Sequence, residues 1–190
     1  MATFRTSQPV SAADPSLPHV ILVGLPGSGK STVGPLLATA LNRSFLDFDA
    51  EITRREGMTI PEIFGQRGEE HFRDLEHRLT VEVAECGNMI LAPGGGWVTR
   101  PAAVTLLRPP AKMVYLKVSP QVALGRMGAT ATGRPLLNRP DPKGELEHLL
   151  TARRGDYESA DLVVGVDHLD PQRVTKKVAE WLLGAQPASA

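Results

Sequence analysis

HVILVGLPGSGKST, running from His19 to Thr32, sets the frame for everything downstream. His19–Val23 is a continuous apolar run, the signature of a strand buried on both faces of a parallel sheet. A glycine-rich turn follows, and the spacing then predicts a helix beginning near Lys30. Gly24, Gly29, Lys30 and Ser31 fit G-x-x-x-x-G-K-[ST]. Glycines let such a loop fold tightly, so that its N–H groups point inward at a chain of phosphates. The positive end of the helix dipole lies at the same place. Gly27, Ser28, Gly29, Lys30, Ser31 and Thr32 are therefore candidate contacts to the phosphates of ATP, with Ser31 placed to ligate Mg²⁺. A glycine-rich turn that matches by chance is the alternative. The strand before and the helix after argue against it.

The loop specifies a phosphate donor but not an acceptor, and composition narrows the field. At 190 residues the chain suits one domain with a sizeable core. Acidic and basic side chains balance at 21 each, so no broad field points to nucleic acid or a membrane surface as partner. Residues 1–18, rich in Ser, Ala, Pro and Thr, read as a disordered tail without the apolar centre of a secretory signal. Cys86 is alone, which excludes an intrachain disulfide and fits a reducing cytoplasm; its apolar helical setting predicts a buried filler. With no sticky face evident, a cytoplasmic monomer is the default expectation.

Outward from the loop, Lys30–Leu41 has helical spacing, with Pro35 expected to loosen it locally. Ser44–Phe48 reads as a second strand, and strand–helix–strand implies a right-handed crossover and a parallel sheet. Asp47 and Asp49 then lie at the carboxyl edge, where open α/β sheets bind ligands, and alternation puts both on one face. An N-cap plus a surface acid is the equal alternative. Residues 50–87 look helical, with breaks near Gly57 and Gly65–Gly68. Arg73 sits just off the stripe Phe72, Leu75, Leu79, Val83 and by position alone reads as a solvated charge. A third strand, Asn88–Pro93, runs into Gly94, Gly95 and Gly96, which permit close approach of a ligand or form a plain turn. Lys112–Val118 and Asp161–Val166 complete five candidate strands. Between them lies Gly128–Gly144, long, irregular and rich in Gly, Pro and Thr, which reads as a lid. Arg126, Arg134 and Arg139 are suited to neutralise a transferring phosphoryl group, the alternative for some of them being charges that keep a loop soluble. Helices are expected over Thr99–Leu107, Ser119–Arg126, Glu145–Tyr157 and Pro171–Leu183, with residues 185–190 fraying.

Taken in order, GLPGSGKST, LDFD, GEEHFRDLE, GGG and GRPLL resemble shikimate kinase over about Val20 to Leu183. The glycine-rich loop is shared by many families; the combination is far more specific. The resemblance implies a three-layer α/β P-loop kinase fold, a five-stranded parallel sheet with helices on both faces. Residues 19–184 would be a single domain, about 49–87 its substrate-binding region and about 127–144 its mobile lid. It implies transfer of the ATP γ-phosphoryl group to the 3-hydroxyl of shikimate, in aromatic amino-acid biosynthesis. It implies Mg²⁺ at Ser31 and Asp47, shikimate hydroxyls at Asp49, and the shikimate carboxylate at Arg73 and Arg154. Gly94, Gly95 and Gly96 would line the pocket, Arg134 would close over the phosphates, and Arg126 would approach the adenine. Asp49, Lys30 and Arg134 would be the catalytic groups. Pro93, Trp97 and the Gly34-Pro35 pair depart from the family pattern and bear on pocket shape. A kinase of the gluconate type and a non-catalytic nucleotide-binding protein are the rival readings.

Overall fold

A computed structural model describes residues 17–128 and 140–184. Most of the expected lid, with Arg134 and Arg139, and both termini lie outside the described residues. Five strands, β1 (Val20–Val23), β2 (Ser44–Asp47), β3 (Met89–Ala92), β4 (Lys112–Lys117) and β5 (Leu162–Gly165), form one parallel sheet in the order β2-β3-β1-β4-β5. The central strands are the apolar ones. Every residue of β1 and β3 is buried, as are the inner four of β4, whereas edge strands β2 and β5 are mostly half-exposed or exposed. Each fully buried aliphatic side chain contributes about 1.5–3 kcal/mol, which is why the apolar runs take the centre.

Among the described residues the helices are α1 (Lys30–Ala40), α2 (Phe48–Glu56), α3 (Ile60–Ala84), α4 (Pro101–Leu107), α5 (Pro120–Met127), α6 (Pro142–Glu158) and α7 (Pro171–Gly184). A 3-10 turn spans Trp97–Thr99. Helix α1 packs on α7, α3 on α4, and α5 on α6. Because the chain leaves β1 toward β2 and later resumes on the other side with β4, the carboxyl ends around β1 form the crevice of a topological switch point.

Several local expectations change. Pro35, expected to loosen α1 locally, lies inside it, and the helix continues to Ala40. Gly34 beside it has a packing reason: a Cβ there would clash with Phe45 Cε2, so the glycine lets β2 lie close against α1. Gly57 caps α2 in the left-handed conformation, and Gly68 (φ 84°, ψ 168°) kinks α3, while Gly65 stays helical. Helix α6 starts at Pro142, inside the segment read as lid. Cys86 is exposed, not buried: it lies beyond the last turn of α3, after the apolar stripe has ended at Val83. Leu17 and Pro18 are tied down, through Asn88 N–H donating to the Leu17 carbonyl (2.8 Å) and Arg43 to that of Pro18 (2.9 Å).

His19 locks α3 to the sheet. Its Nε2–H donates to the Val83 carbonyl (2.9 Å) and its Nδ1 accepts from Met89 N–H (3.2 Å), which requires the neutral ring. Burial, the largest influence, holds the imidazole below its ordinary 6.5, against the backbone hydrogen bonds that favour the charged form. Its stabilising contribution is complete above pH 6.5. As pH falls below that value the unfolded chain takes up a proton that the folded chain resists, and stability is lost through the lower folded-state pKa. His19→Phe is expected to cost about 1–3 kcal/mol at neutral pH. Thermal melts between about pH 7.5 and 5 should show a shallower decline for the variant than for the parent; equal slopes would remove His19 as the cause.

Candidate active site

The nucleotide side is built by backbone geometry. Gly24 (φ 145°), Gly27 (φ 80°) and Gly29 (φ 97°) adopt conformations that favour glycine. Gly24 and Gly27 also lack room, since a Cβ would sit 2.6 Å from the Leu116 carbonyl and 2.5 Å from that of Ala123. Among the described residues no side chain caps α1 at Gly29, so its leading N–H groups are left for an anion. Lys30 folds back over the loop, donating to the carbonyls of Gly24 (2.9 Å) and Leu25 (3.2 Å). In front lies a cavity of about 410 Å³ lined by Gly27–Val33, Arg126, Met127, Val166, Leu169, Pro171 and Val174. One wall is cationic and peptide, the other aliphatic, which suits phosphates at one end and a flat base at the other. Arg126 lines it as expected and is held by the Val166 carbonyl (2.5 Å).

Strand β2 ends one residue earlier than the sequence suggests. Asp47 is the N-cap of α2, accepting from Ala50 N–H (3.2 Å), and Asp49 sits in the helix's first turn. Alternation therefore does not relate the two carboxylates; Asp is a strong N-cap and turned the chain at once. The same Asp47 carboxylate accepts from the Ser31 hydroxyl (2.5 Å), so capping and function coincide in one residue. The pair offers hard oxygen donors at the mouth of the phosphate cradle. Mg²⁺ fits such a set, because it takes one or two carboxylates and fills its octahedron with water and phosphate oxygens.

The acceptor side is organised around Gly94–Gly96. A Cβ on Gly94 would lie 2.5 Å from Glu76 Oε1 and 3.3 Å from Asp49 Oδ1. On Gly95 it would lie 3.2 Å from Arg153 Nη1, 3.3 Å from the Gly24 carbonyl and 3.4 Å from the Tyr157 hydroxyl. On Gly96 it would lie 2.9 Å from Arg73 Nη2. The glycines thus make room first for the protein's own charged groups, which they gather against the edge of the phosphate-binding loop. Pro93, which enters the triplet, is buried. Trp97, which leaves it, is core: its indole N–H donates to Thr80 Oγ1 (2.9 Å), anchoring the turn on α3.

Arg73 is not a solvated charge. Only 10% of its side chain is exposed, and it is gripped by Glu76 (2.6 Å) and Glu69 (2.8 Å). Glu76 is itself buried, and burial pushes its carboxyl above the ordinary carboxylate range. The Arg73 guanidinium pulls it back down, while the Asp49 charge adds to the effect of burial. Spacing carried a signal here: Arg73, Glu76 and Thr80 lie three and four residues apart, a second buried row beside the Phe72–Leu79–Val83 stripe.

Arg154, expected to share the clamp with Arg73, is exposed; its neighbour Arg153 is the one beside Gly95. Helical geometry explains the difference. Arg153 is seven residues after Leu146 and four before Tyr157, both buried, so it shares their face; Arg154 is turned about 100° away. Arg153, Glu76 and Tyr157 are the residues that motif reasoning missed.

Comparison with known proteins places the chain among relatives of one kind. A family model described as shikimate kinase matches residues 26–183. A shikimate kinase from a Synechococcus species is 41% identical over 90% of this chain and 91% of its own length. One from Moorella thermoacetica is 39% identical over 86% of this chain and 94% of its own. The solved shikimate kinase from Acinetobacter baumannii in complex with shikimate superposes with a TM-score of 0.85 at 35% identity, covering 90% of this chain and 96% of that one.

Proposed function

The chain belongs to the shikimate kinase family, which transfers the γ-phosphoryl group of ATP to the 3-hydroxyl of shikimate, giving shikimate 3-phosphate and ADP, and on that premise we propose how its residues divide the work. The supporting observation is the convergence on Gly94–Gly96 of Asp49, Arg73 and Arg153, next to the loop that carries Lys30 and Ser31. A polyhydroxy acid needs cations for its carboxylate and an acceptor for its hydroxyls. Arg73 and Arg153 supply the first as charge-assisted donors, with Arg153 taking the place expected of Arg154. Asp49 supplies the second and holds the attacking oxygen. The rivals, a gluconate-type kinase and a non-catalytic binder, give way to family membership.

On the donor side Lys30 and the leading N–H groups of α1 hold the phosphates, and Arg126 with the aliphatic wall holds the base. Ser31 and Asp47 would hold Mg²⁺, which would supply positive charge against the negative charge developing on the phosphates. Phosphoryl transfer passes through a loose transition state, so alignment and charge matter more than base strength. Glu76 keeps the Arg73 guanidinium aimed before the acid arrives. No described helix is long and apolar enough to cross a membrane. A monomer working in the cytoplasm is the reading that goes with this assignment.

The decisive assay is ADP release by the purified protein. Release is expected with ATP, Mg²⁺ and shikimate together, and not with gluconate in place of shikimate. Turnover of gluconate without turnover of shikimate would overturn the substrate assignment.

A further inference from the structure

Tyr157 is a fully buried residue of α6 that the scheme above leaves without a part. Its ring stacks on Tyr115 with centroids 5.0 Å apart, which packing alone explains. Its hydroxyl does something packing does not: it donates to the Gly95 carbonyl at 2.8 Å, across 62 residues of sequence. Burial pushes the Tyr157 phenol up, with Arg153 acting in the other direction through its charge and a hydrogen bond, so the donated proton stays in place at neutral pH. Two neighbouring peptide planes in the triplet are pinned this way. The Gly94 carbonyl accepts from Trp97 N–H (2.9 Å) and the Gly95 carbonyl accepts from Tyr157. In a trans peptide the N–H points opposite to the C=O, so these two bonds fix the directions of the Gly95 and Gly96 N–H groups. Without them a glycine pair has little to hold it in one orientation.

We propose that Tyr157 is a positioning residue for the acid end of the substrate, its hydroxyl holding the Gly95–Gly96 peptide beside the Arg153 guanidinium so that peptide N–H and guanidinium meet the carboxylate together. This rests on the carboxylate clamp described above. The geometry supports coupling in both directions. Arg153 stands one helical turn before Tyr157, and its Nη1 lies 3.2 Å from where a Gly95 side chain would begin. The Gly24 carbonyl lies on the same side at 3.3 Å, so the brace also joins the acceptor pocket to the phosphate loop.

The test is Tyr157→Phe, which keeps the stacked ring and removes one hydrogen-bond donor. Initial rates are measured with shikimate and ATP varied separately, and with the methyl ester of shikimate as a second acceptor. KM for shikimate is expected to rise roughly five- to tenfold, the scale of one lost hydrogen bond, with KM for ATP unmoved and a much smaller change in kcat. The increase should largely vanish with the ester, because the interaction lost is the one made to the carboxylate. An unchanged KM for shikimate, an equal increase for acid and ester, or a rise for ATP as well would each overturn the proposal. Arg153→Ala in the same assay separates the two levels. If it raises KM for shikimate while Tyr157→Phe does not, the clamp stands and the Tyr157 assignment falls. If neither moves, the clamp itself is wrong.

Discussion

Lys30→Met is expected to lose roughly a thousandfold in kcat, about 4 kcal/mol of transition-state stabilisation. The ammonium is the one side-chain charge that the phosphate loop carries in its own fold, suspended over the Gly24 and Leu25 carbonyls. As negative charge spreads over the oxygens of the transferring group, a fixed cation in a partly enclosed site outweighs anything water can reorganise to supply. Methionine matches the length of the lysine stem without its charge. It does remove two hydrogen bonds that brace the loop, and these must be separated from chemistry. Melting temperature and shikimate binding measured without nucleotide should stay near the parent values. A fall in kcat of less than tenfold would mean that the helix terminus and the metal carry the load without the lysine.

How much of this was legible beforehand differs between the two halves of the site for a physical reason. The phosphate cradle of the donor half is local in sequence. Strand, turn and helix follow one another, and its glycines mark backbone conformations that no neighbour elsewhere has to supply. Reading His19–Thr32 was therefore enough to place Lys30 and Ser31. The acceptor half is assembled from β2, α3, the glycine triplet and α6, and no stretch of chain contains it. Asp49, Arg73 and the glycines came from resemblance in motif, while position alone had made Arg73 an ordinary surface charge.

Arg154 is exposed while Arg153 faces Gly95, and the sequence carries a signal for that difference. Adjacent arginines on a helix differ by about 100° in direction, and only Arg153 falls on the face defined by Leu146 and Tyr157. Periodicity applied to a charged residue would have chosen it. For Asp47 the N-cap alternative is the one the structure shows, and strand alternation does not extend past it to Asp49, because an N-cap residue ends the strand and starts the helix. Trp97 and Gly34 looked like departures that would reshape the pocket; both turn out to be packing solutions, one reaching Thr80 and the other clearing Phe45. Such pairings at long sequence separation leave no periodic trace.

The second large effect distinguishes two jobs that Asp49 can do. Aspartate near the attacking hydroxyl can remove its proton or hold its oxygen in line. For a loose transition state little nucleophile charge is needed before bond making, so holding should dominate. Asparagine keeps an acceptor oxygen in nearly the same place but takes no proton; alanine keeps neither. Asp49→Asn is then expected to lose roughly a hundredfold in kcat and Asp49→Ala roughly a further tenfold or more. Part of the first loss is electrostatic, because neutralising Asp49 removes the charge that helps push Glu76 up, and with it one anion from a crowded cluster around Gly94. That change should leave the Asn variant at least as thermally stable as the parent, so reduced activity cannot be put down to a weakened fold. Single-turnover rates for both variants, measured with saturating ATP and shikimate, make the comparison. Equal losses would put proton removal ahead of alignment, since an oxygen that only accepts a hydrogen bond would then have earned nothing over a methyl group.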